Sequence, residues 1–321
     1  MKDLSTNNIE IVTSIRIYLF LSHYSKHIAL LVINIFLILT FSIDPRGIST
    51  NSHYIFTFWE PHDSLPGYIK LCIKTWRKYL PTEYKIIILD YSNIRDYLGY
   101  KLVKQILCKD MTLQIQADAI RVAILQKYGG FWMDADTLII NHECMTMFNG
   151  SDLIMFGIKK QNIQHIGFIY ALKNSTILKA WLNSIIRKVR IYKYILFLKN
   201  IFPTKYFIQS FNKIRIWSYL GNGILDDMVK YASEKDFKHI ERDDVYVVPD
   251  QIFLKGPIDK RYRDFYFTSI YNISLLDMCK GILLLHNSWT PMKYKKMSEE
   301  VFLKQDILLS HILSKLLIDK T

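Results

Sequence analysis

The stretch Gln116 to Thr137 restricts the possible folds of this chain more than any other. Its first part, Gln116 to Tyr128, carries apolar residues at 117, 120, 124, 125 and 128, the spacing of one helix face. Gly129 and Gly130 then end the helix at positions that tolerate positive φ. Phe131-Trp132-Met133 follows as an apolar strand running into Asp134-Ala135-Asp136-Thr137. Successive side chains of a strand face opposite ways, so Asp134 and Asp136 share a face only if the strand ends there and Ala135 sits in a turn. A hard divalent cation takes oxygen ligands at about 2.0–2.2 Å and divides its shell between one or two carboxylates and substrate phosphates. Asp-x-Asp at a strand end supplies such a half-shell. An isolated copy is more often a solvated turn, so its surroundings must decide.

The rest of the chain repeats the alternation. Strands are predicted at His53–Trp59, Lys85–Asp90, Phe131–Asp134, Leu153–Gly157, Gly167–Leu172, Val245–Val248 and Gly281–His286, and helices at Leu65–Tyr79, Leu113–Tyr128, Thr176–Leu198 and Ser298–Leu317. Strands alternating with helices predict an α/β sheet with ligands at the carboxyl ends of its strands. Asp134, Trp59 and His286 each lie at such an end. Asp118 and Arg121, three apart, are neighbours on one face of the helix before Asp134. They read either as a surface ion pair or as a polar pair at the edge of a ligand cleft.

Ala117-Asp118-x-x-Arg121, a helix ending in Tyr128-Gly129-Gly130, and a short strand into Asp134-x-Asp136 together resemble the sugar-nucleotide-binding region of glycosyltransferase family 32. Two other segments fit. Tyr54 to Pro61, with Leu65-Pro66 and Cys72 to Trp76, is similar to the family's first strand and helix, and Leu283 to Trp289 to its last strand and closing loop. The resemblance implies a GT-A-like mixed sheet flanked by helices, and a retaining, metal-dependent transfer of a hexose or N-acetylhexosamine from a nucleotide sugar, UDP-linked by expectation. The acceptor it implies is a surface glycan: a capsule, a lipopolysaccharide or a lipid-linked oligosaccharide. It further implies Mn²⁺ or Mg²⁺ held by Asp134 and Asp136, with His286 as a third ligand. Trp59 would stack on the base, Asp118 and Arg121 would meet the donor's sugar and diphosphate, and Asn287, Ser288 and Trp289 would close over it. Asp227, in Gly221 to Asp227, is the candidate carboxylate near the transferred sugar, set against a reading of Asp226 and Asp227 as acids favoured by a helix dipole.

Composition sets the remaining bounds. The chain has 321 residues, half of them apolar, enough for a sizeable core. The expected partition is a hydrophobic helical appendage over residues 1–50 and a catalytic domain over 51–321, with a basic, aromatic-rich helical insertion at about 176–220. Cys72, Cys108, Cys144 and Cys279 are too dispersed for a zinc ribbon or a disulfide scaffold. The net charge is +13, and from Leu153 to Leu225 there is no Asp or Glu at all. Lysines, arginines and aromatics interleave there, a mixture that suits an anionic membrane surface or nucleic acid. The transferase motifs favour the membrane and no nucleic-acid partner. Ile28 to Ile43 is an uncharged run slightly short of a span. It predicts attachment at the cytoplasmic face of the membrane, or a cytoplasmic enzyme if the segment is a buried helix. A nucleic-acid-binding protein, a metal-dependent phosphohydrolase and a non-catalytic membrane scaffold are the alternatives.

Overall fold

The computed structural model describes residues 54–141, 145, 148, 150–158, 163–201, 218–230, 232–241, 257–269 and 281–317. The expectations for residues 1–50, for a strand at Val245–Val248 and for the basic residues 202–217 lie outside these. Eight strands are described: β1 (Tyr54–Phe58), β2 (Lys85–Leu89), β3 (Gly130–Met133), β4 (Thr137–Ile139), β5 (Leu153–Ile158), β6 (Ile163–Ala171), β7 (Phe237–Glu241) and β8 (Ile282–Leu284). The main sheet has the order β2-β1-β3-β6-β5-β7, and β4 pairs with β8 in a separate ribbon. β1 runs parallel to β2 and β3, β6 runs antiparallel to β3 and β5, and β7 is parallel to β5. The sheet is therefore mixed, as the sequence led us to expect.

The helices are α1 (Gly67–Tyr79), α2 (Ile94–Leu98), α3 (Tyr100–Ile106), α4 (Leu113–Tyr128), α5 (Thr176–Ile201), α6 (Asn222–Val229), α7 (Ile258–Tyr266), α8 (Met292–Lys295), α9 (Glu299–Leu303) and α10 (Leu308–Leu317). Pleating divides the sheet residues between two cores. Ile55, Phe131 and Met133 face a cluster with Tyr68, Trp76 and Phe302, on the side of α1, α9 and α10. Phe56 and Trp132 face the other, with Ile120 and Ile124 of α4 and Trp181 of α5. Two-sided burial explains why these strands read as continuous apolar runs.

One expectation is corrected here. The helix foreseen over Ser298–Leu317 is interrupted between Leu303 and Leu308, giving α9 and α10. The bend buries Phe302, Leu308, Leu309 and Leu313 in one core, while Ser310 Oγ donates to the Phe302 carbonyl at 2.6 Å across it. The described part of the basic segment is one long helix, and its first turns are core: Trp181, Ile185, Val189 and Tyr192 of α5 are all buried.

Candidate active site

Asp118, Arg121, Trp132, Asp134, Asp136 and Asn287 assemble around the exit of β3. Gly129 and Gly130 adopt φ of 70° and 92°, which lets α4 turn straight into the strand. β3 ends at Met133, where the Asp134 N–H donates to the Gly167 carbonyl of β6 at 2.7 Å. The Thr137 N–H then donates to the Asp134 carbonyl at 3.0 Å, closing the expected turn around Ala135. α1 pins the far side: Trp76 Nε1 donates to the Thr137 carbonyl at 2.6 Å, and Thr75 Oγ1 accepts from the Ile139 N–H at 3.0 Å.

The two carboxylates of the turn are anchored to different elements. Asp134 Oδ1 accepts from Arg121 Nη2 and from Trp132 Nε1, both at 2.8 Å. Arg121 also donates through Nη1 to Asp118 Oδ1 at 2.9 Å, and its guanidinium carbon lies 5.1 Å from the Trp132 ring centroid. Asp136 Oδ2 accepts from the Asn287 N–H at 2.6 Å, and its carbonyl accepts from the Leu285 N–H at 3.1 Å. Asp136 thus fastens the segment after β8 to the turn. Tyr68 of α1 completes the brace, donating from Oη to Asn287 Oδ1 at 2.5 Å.

Burial sets the electrostatics. It is the largest effect lifting the Asp118 carboxyl to about 7; Asp134 adds to the rise and Arg121 opposes it. Burial likewise lifts Asp136, followed by repulsion from Asp134, against the Asn287 N–H and the Lys295 ammonium. The Tyr68 phenol is driven well above its ordinary value by burial, with Asp136 contributing. The Asp136 carboxyl of the turn is therefore raised by burial and by the charge of Asp134.

The fit of a divalent cation is judged by the side chains that surround the turn. Asp134 and Asp136 both belong to the turn, and Gly167 leaves room for Asp134: a Cβ there would meet Asp134 Oδ2 at 2.7 Å and His165 Cε1 at 2.5 Å. Among the described residues no three His, Cys, Asp or Glu side chains gather as a metal cluster. Asp134 and Asp136 are the residues that could hold a cation here, with the rest of its shell coming from other oxygens.

The other expected residues are placed as follows. His286 is not gathered with the two carboxylates. Its ring lies 4.1 Å from the Trp289 ring and 5.6 Å from that of Tyr262, and its N–H donates to Tyr262 Oη at 3.0 Å, so aromatic packing orients it. Asn287 and Trp289 are half-buried beside it and Ser288 is exposed, all in one 3₁₀ turn. Trp59 continues β1, half-buried, and its buried Nε1 has no partner among the described residues. Asp118 and Arg121 are not an open anion contact but a buried pair, 7% and 4% exposed, that reaches the site by holding Asp134. Asp227 is exposed on α6, where its charge bears on Lys188 of α5 rather than on the turn.

Sequence reasoning missed several participants. Trp132 read only as part of a strand and Tyr68 only as part of a helix, and Tyr262 carried no signal. Gly221 was passed over as part of a turn; a Cβ there would meet Asp118 Oδ2 and Ile166 Cδ1, each at 2.7 Å. His165, on β6, has its ring centroid 6.5 Å from that of His286. No motif announces these residues, because strand pairing and packing bring them in.

Residues 33–282 match the profile of a family described as capsular polysaccharide synthesis protein. The chain belongs to that family. Polysaccharide synthesis on a mixed α/β fold with carboxylates at a strand end agrees with the enzyme class expected from the sequence, a glycosyltransferase. No curated protein is similar enough to count as a match. Among solved structures, the chain is similar to the glycosyltransferase GlyE of Streptococcus pneumoniae TIGR4 at TM-score 0.39 and 14% identity, over 83% of this chain and 63% of that one. It is similar to the PaToxG glycosyltransferase at TM-score 0.36 and 13% identity, over 56% of this chain and 69% of that one. Mouse xyloside xylosyltransferase 1 gives TM-score 0.34 and 12% identity, over 76% and 100%. The chain thus spans less than two thirds of GlyE, and likeness at this level assigns neither substrate nor mechanism.

Proposed function

We propose that this member of the capsular polysaccharide synthesis family is a metal-dependent glycosyltransferase of the family 32 type. It moves a hexose or N-acetylhexosamine from a UDP-linked donor to a capsule-type or lipid-linked glycan at the cytoplasmic face of a membrane. The observation that carries the reading is the clamped turn after β3, in which Arg121 fixes Asp134 and the Asn287 N–H fixes Asp136.

Mn²⁺ or Mg²⁺, held by Asp134 and Asp136, would supply Lewis-acid neutralisation of the departing diphosphate. The chain's own residues do the rest. Arg121 keeps Asp134 oriented, since a planar fork bonds two carboxylates at once. Asn287, held by Tyr68 and Asp136, positions the segment through Trp289 that closes over the donor and excludes water. Trp59 offers a ring face at the carboxyl end of β1 and a buried N–H with no described acceptor, both suited to a base. Retention of anomeric configuration follows from the family resemblance, so an α-linked donor gives an α-linked product.

A panel of UDP-linked glucose, galactose, N-acetylglucosamine and N-acetylgalactosamine, followed by thermal shift and by UDP release with Mn²⁺ and with EDTA, tests the proposal. One sugar should raise the melting temperature and be turned over only with metal. Failure of every donor to shift melting or release UDP would sink it.

A further inference from the structure

α5 changes character along its length. Its inward face is apolar throughout, but its outward face is polar early and apolar late. Thr176, Lys179, Ala180, Asn183, Arg187 and Arg190 are exposed over the first turns. Ile191, Tyr194, Phe197 and Ile201 then follow on the same side, 46%, 61%, 60% and 49% exposed. At about 100° per residue, Arg187, Arg190 and these four fall within an arc of roughly 120°, a continuous stripe rather than scattered residues. Four large apolar side chains in a row on a water-facing helix are costly for a freely soluble surface, and such patches mark interaction sites.

We propose that this stripe is a docking face for an anionic lipid bilayer, with the C-terminal half of α5 lying in the plane of the headgroups. Charge complementarity selects the bilayer. Arg187 and Arg190 adjoin the apolar residues, and no acidic residue occurs anywhere from Leu153 to Leu225 to repel lipid phosphate. The chemistry along the stripe matches an interfacial helix: arginines for the phosphates, a tyrosine for the headgroup boundary, and Phe197 with two isoleucines for the acyl chains. No described helix is long and apolar enough to cross a membrane, so the contact is one of lying on it. Lys193 and Lys188, which border the stripe, donate to the Lys104 and Tyr219 carbonyls and tie the helix to the body of the protein. A face held in this way would carry the enzyme to the surface at a fixed orientation.

The inference deepens the acceptor side of the proposed function. Its test involves no sugar, so failure here and failure of the transfer reading are distinguishable. Full-length protein is mixed with phosphatidylglycerol vesicles or phosphatidylcholine vesicles, and hydrogen exchange is followed in peptides covering 187–201 alongside vesicle flotation. Those peptides should gain protection with phosphatidylglycerol only, and lose it as salt rises. Tyr194→Ser/Phe197→Ser, both exposed in the wild type and so expected to fold, should abolish the protection and weaken vesicle binding by on the order of tenfold. Arg187→Gln/Arg190→Gln should weaken binding roughly 25-fold at low salt, about fivefold per arginine. Unchanged exchange at 187–201 with anionic vesicles overturns the proposal, even if the whole protein floats by another segment. Equal protection by both lipids overturns the charge argument. Protection that appears without vesicles and rises with protein concentration, and is lost in the Tyr194/Phe197 variant, would assign the face to a second copy of the chain instead.

Discussion

Arg121 is the residue on which the site's geometry turns. It is buried, bonded to two carboxylates and set over the face of Trp132, so its removal takes the shared counter-ion from Asp118 and Asp134 and forces the buried Asp118 to neutralise. Breaking one side of a buried pair costs about 3–5 kcal/mol. Arg121→Met should therefore lower stability to urea by that order, whereas a mere substrate contact would cost activity alone. Asp118 and Asp136 make the metal-free protein pH-sensitive in a defined direction. Their folded-state pKa values lie above the ordinary carboxylate range, so the folded state holds those protons more tightly than the unfolded chain does. Their contribution to stability is complete below about pH 4 and is lost as pH rises toward about 7, at up to about 1.4 kcal/mol per unit for each group. Asp118→Asn should flatten part of that slope in denaturant titrations; an unchanged slope would mean that Asp118 is ionised throughout. Gly167→Ala probes the turn itself. The added Cβ meets only the ends of two side chains, Asp134 and His165, so the fold should hold while Asp134 shifts, with turnover falling on the order of 10².

Elements differ in how far their sequence announced them. α4 was legible to the residue, because its apolar spacing and the two following glycines leave few alternatives. α6 and α7 were missed: one is short and the other mostly polar, so the amphipathic pattern each carries runs over too few residues to stand out. β4 escaped notice because three residues directly after an Asp-x-Asp turn carry no period of their own. Its strand character comes from pairing with β8, far away in sequence. The break between α9 and α10 was invisible because helical spacing continues on either side of it. A close approach makes the α1–α9 junction testable. A Cβ on Gly67 would meet the backbone of Met297, Ser298 and Glu299 at 2.5–2.6 Å, and backbone has no rotamer by which to yield. Gly67→Ala should cost about 1–3 kcal/mol through overpacking, read as a lower melting temperature.

At the scale of the whole molecule, the juxtaposition of the Asp134–Asp136 turn with the segment from Asn287 was legible, because strand ends in an α/β sheet lie side by side. Arg121 holding Asp134, Tyr68 holding Asn287 and Asp136 fastening the last loop were not, since each joins elements that only the fold brings together. They meet at the turn after β3, which under the proposed function takes a cation and, through it, a nucleoside diphosphate. The most direct test is calorimetric titration of UDP into the wild type and Asp136→Asn, each with Mn²⁺ and with EDTA, after confirming that the variant melts like the wild type. The account predicts tight UDP binding only for the wild type with Mn²⁺, and binding weaker by on the order of 10² in Asp136→Asn. UDP binding of equal strength in EDTA, or an Asp136→Asn variant that binds as well as the wild type, would contradict it.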